Sequence, residues 1–462
     1  MHRQSLIALA MAFASPALTH AADNGDLQQI RKEIEQLRHS YESHIQELEA
    51  RLKKAEQATA SAQTTAVEAK EKATQTASAP SAPSATPKAG SNAFNPDVSL
   101  VLSGIYSNLS KDPKQYHITN FIPGGDIGPG KRGFSLSESE LGISANIDPW
   151  FYGGLNFSIH PDDSVSAEEA FIQTTALPYG MKIKAGRFFS SIGYLNEQHS
   201  HTWDFVDAPL AYQAFLGSQF NQDGVQFKWL APLDTFFELG AELGSGASFP
   251  GSDRNSNGAG AVALMAHTGG DIGFSNSWRA GVSWLRTSPQ DRRNDDSNLA
   301  GNTVTNSFSG SSHLWLADFI WKWAPNGNAE RTNLKLQGEY FHRREDGSLI
   351  YDVNSTASPA NYLAAQSGWY LQSVYQFMPT WRVGLRYDQL DSGHVDFGAN
   401  SNYLATSNLD PNKSSLMFDW TPSEFSRVRL QFANDKSSGG AADRQFFLQY
   451  QMSLGAHGAH IF

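Results

Sequence analysis

Apolar and polar residues alternate along many short stretches of the chain between about residue 95 and residue 462. In one stretch, Trp315, Ala317 and Phe319 share one face, and Leu316 and Asp318 share the other. A repeat of two residues is typical of a β-strand, because successive side chains point to opposite faces of a sheet. The pattern therefore predicts a chain built mainly from β-strands.

The segments between these stretches fall into two classes. The short ones carry the Pro, Gly and Asn chemistry of tight turns, and the longer ones are polar loops. The short turns are at residues 148–149, 177–180, 231–234, 274–276, 324–327, 378–380 and 421–423, and the longer connections include residues 108–133, 189–219, 288–311, 345–365 and 392–412. Seven short turns and eight longer connections predict about 16 antiparallel strands.

An even number of amphipathic strands predicts an all-β transmembrane barrel, with apolar rows facing lipid and polar rows facing a wet lumen. The last alternating stretch, residues 446–454, leads to an aromatic residue, Phe462, as expected for the terminal strand of an outer-membrane barrel. A soluble β-sandwich would also alternate. Charged residues on the opposite faces and aromatic residues near the strand ends favour the membrane.

Three zones precede the predicted barrel. A basic start and a short apolar core indicate a signal peptide. Apolar residues at steps of three and four then predict a coiled-coil helix, either as an oligomerisation stalk or as an amphipathic helix on another surface. An Ala-, Ser- and Pro-rich stretch reads as a tether. The predicted boundaries are 1–21 for the signal peptide, 22–57 for the stalk, 58–94 for the linker and 95–462 for the barrel.

Composition agrees with this assignment. Only 40% of the 462 residues are hydrophobic, there is no Cys, and the formal net charge is −11. A helical membrane protein would need apolar stretches of about 20 residues, and a nucleic-acid binder would be basic. No catalytic motif stands out, so no enzyme is predicted. The chain is expected in the outer membrane of a Gram-negative bacterium, with both termini periplasmic.

One long connection, residues 189–219, differs from the others because it is rich in apolar and aromatic side chains. Such a loop should not lie open to water, so we expect it inside the barrel or against a neighbouring protomer. Its polar residues are grouped: Glu197, His199, His201, Asp204 and Asp207. Imidazole and carboxylate groups suit Zn²⁺. The alternative, and the commoner role of His–Asp pairs, is that they hydrogen-bond the loop to the barrel wall.

Charged residues of both signs fall on the predicted lumen face. They either create a transverse field that filters solutes or form ion pairs that stiffen the wall. The predicted pore-lining residues are Lys182, Lys184, Arg279, Arg382, Arg386, Arg427, Arg429, Glu138, Glu140, Glu238 and Glu242.

Four segments of the sequence resemble those of a known family. They are GFSLSESEL at 133–141, AGRFFSSIGYLNEQH at 185–199, WDFVD at 203–207 and GAHGAH at 455–460. The family is that of proteobacterial zinc-regulated outer-membrane receptors or porins, often labelled TonB-dependent. The architecture is also similar to that of phosphate-selective and coiled-coil-bearing trimeric porins. The resemblance implies expression under zinc limitation and a role in zinc entry.

Three functions are consistent with these observations. The first is a homotrimeric, passive porin for small solutes or ions, including zinc. The second is a metal-binding receptor, energised in the TonB manner, that captures Zn²⁺ on the loop; no other cofactor is expected. The third is a structural barrel that tethers the outer membrane to peptidoglycan through the coiled coil.

Overall fold

The computed structural model describes residues 96–125 and 127–455. The predicted signal peptide, coiled-coil stalk and linker, and the terminal Phe462, lie outside these residues. The predicted homotrimer and peptidoglycan contact depend largely on that stalk. All of these therefore stay predictions.

Strands dominate the described residues, and one short α-helix interrupts them. The strands are β1 Asp97–Leu109, β2 Gly133–Leu136, β3 Ser139–Asn146, β4 Phe151–Ile159, β5 Val165–Thr174, β6 Met181–Phe189, β7 Asn221–Leu230, β8 Phe236–Gly244, β9 Ala261–Ile272, β10 Asn276–Thr287, β11 Arg292–Ser297, β12 Thr303–Trp323, β13 Asn333–Tyr351, β14 Ser358–Met378, β15 Trp381–Asp396, β16 Asn412–Ser423, β17 Ser426–Asp435 and β18 Asp443–Gly455, and the helix is α1, Leu210–Leu216. No helix in the described ranges is long and apolar enough to cross a membrane.

The sheet closes on itself because β18 pairs antiparallel with β1, from Ser99 opposite Gly455 to Leu109 opposite Gln445. Two short strands add nothing to the circumference. β2 pairs with β1 beyond the stretch that pairs with β3, and β11 pairs only with β12. The remaining 16 strands form one antiparallel ring, which confirms the predicted strand number.

The outer face of the ring is apolar and the inner face is polar. Exposed outward side chains include Leu102, Val282, Phe319, Leu371, Leu385, Phe432 and Leu448. The alternate positions, such as Gln337, Gln372 and Gln449, point inward and are buried. A closed barrel with an apolar exterior satisfies every backbone group without exposing an edge to lipid. The chain is therefore an outer-membrane β-barrel.

The short turns lie at one end of the barrel and the long connections at the other. Six of the seven predicted turns fall at junctions between strands, although Asn276 begins β10 and Met378 ends β14. Residues 421–423 instead belong to β16, and the chain reverses just after them. The predicted loop at 345–365 is mostly strand, because β13 and β14 stay paired to Tyr351 and Ser358. An apolar cluster that includes Phe308, Leu349 and Tyr362 stabilises this extension.

Candidate functional site

The connection between β6 and β7, residues 190–220, folds into the lumen, and we call it the inserted loop. All seven residues of α1 are buried. The backbone N–H of Leu210 donates to the Asp388 carboxylate at 3.0 Å, which places an acceptor at the first turn of the helix. Gly217 ends the helix with a φ of +62°, a conformation that glycine adopts without strain.

One side of the inserted loop is packed against the wall formed by β9, β10 and β12 to β15. Tyr212 meets the Phe341 ring edge-on at 5.0 Å between centroids, and Phe215 stacks on the same ring at 6.0 Å. Leu316, Tyr370 and other inward side chains complete the apolar cluster. We call this the packed side of the lumen.

The Glu339 carboxylate is a main anchor of the inserted loop on the packed side. Glu339 of β13 accepts hydrogen bonds from the backbone N–H groups of Tyr194 and Leu195 at 3.0 and 3.1 Å. It also accepts from the hydroxyls of Tyr212 and Tyr370, at 2.9 and 2.6 Å. Glu339 is 3% exposed, so these donors replace the water that a carboxylate would otherwise need.

The opposite wall carries a group of carboxylates. The pairing of β4 with β5 shifts register between Asn156 and Phe157, which face Glu169 and Ala167, so that Glu168 is the extra residue of a β-bulge. The bulge lets Glu168 and Glu169 both approach the inserted loop, although they are adjacent in sequence.

The two histidines of the inserted loop meet these carboxylates. The Nδ1 atom of His199 lies 3.2 Å from the Glu140 carboxylate and 3.5 Å from that of Glu168, and its Nε2 atom lies 3.1 Å from that of Glu169. Nδ1 of His201 lies 3.0 Å from Glu140. Burial lowers the pKa of His199, but the three carboxylates outweigh this effect and hold its pKa well above the usual range.

The two aspartates of the inserted loop meet basic residues of the wall. Asp204 lies 2.5 Å from Lys335 and 3.3 Å from Arg382. Asp207 lies 2.9 Å from Arg386 and 2.7 Å from Lys413. Burial raises the pKa of both aspartates, but the neighbouring cations outweigh it and hold each pKa well below the usual range.

The structure does not bring the five predicted metal ligands together. His199 and His201 share Glu140, whereas Asp204 and Asp207 lie on the basic wall. Glu197 pairs with Lys228 at 3.0 Å. The physical reason is charge complementarity, because each loop residue faces a wall residue of opposite sign.

Most of the predicted pore-lining residues contact the inserted loop. Of the acidic residues, Glu140 contacts the histidines and Glu242 accepts a hydrogen bond from the Ser191 N–H. Of the basic residues, Arg382 and Arg386 pair with the two aspartates, and Arg279 lies over the Tyr194 ring. Arg427 and Arg429 donate to the Trp203 carbonyl. Glu238 pairs with Lys228, Lys184 lies over the Phe171 ring, Lys182 is exposed, and Glu138 lines a cavity.

Two cavities lie beside the inserted loop, away from the packed side. The vestibule has a volume of about 670 Å³ and reaches Lys131 and Asp162 at the long-connection end. The lower cavity has a volume of about 60 Å³ and reaches Glu424 at the short-turn end. His201 lines both cavities. We call this the open side of the lumen.

A third cavity lies at the short-turn end under the packed side. It has a volume of about 430 Å³ and is bordered by Lys322, Lys335 and Arg382. Its lining includes no residue of the long connections. It is therefore a recess rather than part of a path between the two ends.

Two acidic residues of this arrangement were not predicted: Glu168 and Glu169. Both escape a period-two reading because of the bulge. The inward position of Glu339 follows from alternation, since it lies in a row of β13 that also holds Lys335, Gln337 and Phe341. Its role as an anchor depends on a loop more than 100 residues earlier in the chain.

Comparisons with known proteins give one relative in sequence and several in structure. No family model matches the chain. Solved structures of similar fold include a loop-deletion mutant of OmpT of Vibrio cholerae, with a TM-score of 0.49, 12% identity and coverage of 78% of this chain and 99% of that chain. The outer-membrane channel DcaP of Acinetobacter baumannii gives a TM-score of 0.48 and 13% identity, with coverage of 78% of this chain and 97% of that chain.

The sequence relative comes from Aquifex aeolicus (strain VF5) and is described as an uncharacterized protein. It is 30% identical over 402 residues, which cover 80% of each chain. Agreement at this level, over most of both sequences, shows common ancestry. The chain therefore belongs to the same family as this Aquifex aeolicus protein.

Proposed function

We propose that the protein is a passive channel that lets small hydrophilic solutes or ions cross the outer membrane. The observation that carries the proposal is that His201 lines both the vestibule and the lower cavity. These cavities reach opposite ends of the barrel, and a path that joins them past His201 would run along the open side of the lumen. The long connections face the outside, as in other barrels of this class.

The size and lining of this path define the solutes it would accept. The lower cavity, about 60 Å³, has room for only a few water molecules. Asp162 and Glu168 line the vestibule, and Glu140 lies 3.0 Å from His201. Carboxylates beside a narrow passage favour cations over anions. We therefore expect a narrow channel with a preference for small cations.

Single-channel recording tests this proposal. The full-length protein, purified and folded in detergent, is inserted into a planar bilayer, and the reversal potential is measured in a KCl gradient. We expect discrete, low conductance and cation preference. Replacing His201 by Ala should raise the conductance, whereas His342→Ala, a change on the lipid-facing side, should not. Folded protein that carries no ion current would refute the proposal.

A second candidate function is the uptake of a divalent transition-metal ion such as Zn²⁺. Its support is a group of three ligand atoms from Glu140, Glu168 and His199 that lie within 4.8 Å of one another. Oε2 of each glutamate and Nδ1 of His199 are buried, and none makes a hydrogen bond of acceptable geometry within the described residues. Carboxylate and imidazole are ligands that Zn²⁺ accepts, and a ligand count of three leaves an open position for water.

Calorimetry with ZnCl₂ tests the second candidate on the full-length protein. The double variant Glu140→Gln/Glu168→Gln should lose zinc binding. Glu197→Gln is the matched control, since Glu197 pairs with Lys228, and it should bind zinc as the unmodified protein does. Equal binding by the double variant, or no binding by the unmodified protein, would remove zinc uptake while leaving the channel proposal intact.

A further inference from the structure

Three basic side chains lie next to one another on the lipid-facing wall, away from the lumen. Arg286 of β10 is directly opposite His313 of β12, which is directly opposite Arg344 of β13. Side chains opposite each other in an antiparallel sheet have Cβ atoms about 5 Å apart. The three residues therefore form one row across three strands, which we call the basic row.

The basic row points outward. In β12 the outward positions continue as Trp315 and Phe319, which are 43% and 52% exposed, whereas the alternate residue Leu314 is fully buried inside. Both arginines of the row are exposed. The row therefore contacts whatever surrounds the barrel rather than the solute path.

The height of the basic row matches the boundary of the membrane. One step toward the short turns lies a row of Trp284, Trp315 and His342. The His313 ring lies 5.8 Å from the Trp284 ring and 5.9 Å from the Trp315 ring. Aromatic side chains of this kind mark the membrane interface of barrels.

The opposite edge of the apolar band can be placed on the same strand. Trp323 ends β12 ten residues after His313, which is roughly 33 Å at about 3.3 Å per residue. At the usual strand tilt this spans about 25 Å along the membrane normal, the height of a barrel's apolar band. The basic row thus lies at the headgroup level of the leaflet on the long-connection side.

The charges of the basic row lack partners. Neither Arg286 nor Arg344 makes an ion pair or a side-chain hydrogen bond within the described ranges. The adjacent Glu345 is buried on the inward face and pairs with Arg292, and the nearest acid on the outward face of β13 is Asp346, two positions farther on. Arg286 and Arg344 lie directly opposite His313 on its two sides, so the two arginines are two strands apart. Their like charges repel each other. An anion held between them would be attracted by both guanidinium groups.

We propose that the basic row binds the phosphate group of an anionic lipid in the outer leaflet. The guanidinium groups offer paired donors that match phosphate geometry. The adjacent Trp284 and Trp315 offer an apolar surface for the acyl chains of the same molecule. The inference is independent of the conducted solute, and it rests on the proposed orientation only for naming the leaflet.

Native mass spectrometry of the full-length protein in detergent tests the proposal, with diphosphoryl lipid A as the probe. We expect retention of the lipid by the unmodified protein and a loss of about tenfold or more in apparent affinity for Arg286→Gln/Arg344→Gln. Arg444→Gln is the matched control, because Arg444 is an exposed, outward arginine of β18 opposite Asn434. It should change the affinity by less than about twofold.

Further arms separate the possible sources of the anion. Dephosphorylated lipid should bind poorly. Inorganic phosphate at about 10 mM should displace little of the bound lipid A, because it lacks the acyl chains. Displacement by phosphate alone would instead indicate a free-phosphate site and overturn the lipid assignment. Equal lipid binding by the double variant would also overturn the lipid assignment. A double variant that changes its oligomer mass but not its lipid retention would overturn it as well.

The charge-preserving variant Arg286→Lys/Arg344→Lys guards against a folding artefact. It should retain more lipid than the glutamine variant, because Lys keeps the charge but loses the bidentate geometry. Heat-modifiable migration on a gel verifies that each variant is a folded barrel. A lysine variant that folds but binds no better than the glutamine variant would contradict the role of charge.

Discussion

The inserted loop contacts the barrel wall in two different ways. On the packed side, α1 and the ring of Phe341 form an apolar cluster, and Glu339 holds the backbone at Tyr194. On the open side, His199 and His201 face carboxylates beside two cavities. Apolar packing fixes the position of the loop but exerts little electrostatic force on a passing ion. Charged groups beside a water-filled cavity create an electrostatic potential that acts on such an ion. We infer that the packed side fixes the position of the loop and the open side sets what can pass.

Phe341→Ala should have the largest effect, because it removes the ring on which both Tyr212 and Phe215 rest. Phe-to-Ala changes in buried clusters cost about 3–5 kcal/mol. We expect the inserted loop to loosen, with higher and noisier single-channel conductance and faster proteolysis within residues 190–220. Phe319→Ala, on the exposed lipid face of β12, is the control. Unchanged conductance and proteolysis in a folded Phe341→Ala barrel would contradict the role of the packed side.

Glu339→Gln should have the next largest effect. The amide keeps one acceptor but brings an NH₂ group toward the donors of Tyr194, Leu195 and Tyr212. The loss of a hydrogen-bonded buried charge costs about 1.5–3 kcal/mol. We expect a lower unfolding temperature and frequent flickering of the current. Glu330→Gln, in an exposed turn, provides the comparison and should match the unmodified protein.

Asp207→Asn should leave the loop in place and change selectivity. Asp207 lines the vestibule, and the substitution leaves Arg386 and Lys413 without one shared anion. We expect the anion-to-cation permeability ratio to rise by about twofold, which corresponds to roughly 0.4 kcal/mol. The reversal potential in a KCl gradient measures it, with Asp291→Asn in an exposed loop as control. A fall in the anion-to-cation permeability ratio would contradict this prediction.

Arg187→Gln should have the smallest effect. Arg187 pairs with Asp223 at 2.7 Å, but the two side chains are 43% and 56% exposed. Exposed ion pairs contribute about 0–1 kcal/mol. We expect unchanged conductance and selectivity and a barely altered unfolding temperature. A selectivity change as large as that of Asp207→Asn would mean that charges outside the lumen control permeation.

The barrel could be read from the sequence because each rule that forms it is local. Alternation fixes which face of a strand meets lipid, and Pro and Gly mark the turns, as at residues 177–180 and 324–327. The length of β13 and β14 beyond the membrane was missed. Polar residues there pair as strands because Phe308 and Tyr362 pack together above the barrel, a contact between distant segments.

The candidate site was predicted only in part, for the same reason. The inserted loop and its charged residues stand out in the sequence by composition. Their pairing with particular wall residues does not, although Glu140 was predicted on the lumen face, because Glu140, Lys335 and Lys413 come from strands separated from the loop by tens to hundreds of residues. The bulge at Glu168 also changes which residues face inward, and no local pattern announces it.

Thiol accessibility tests the difference between the two sides of the lumen most directly, because the chain contains no cysteine and each introduced thiol is unique. His201→Cys places a thiol where the vestibule meets the lower cavity, and Ala263→Cys places one in the packed apolar cluster. A charged, membrane-impermeant thiol reagent is added during single-channel recording. We expect the current through His201→Cys to fall and that through Ala263→Cys to stay constant. Block of Ala263→Cys with no change in His201→Cys would contradict the account.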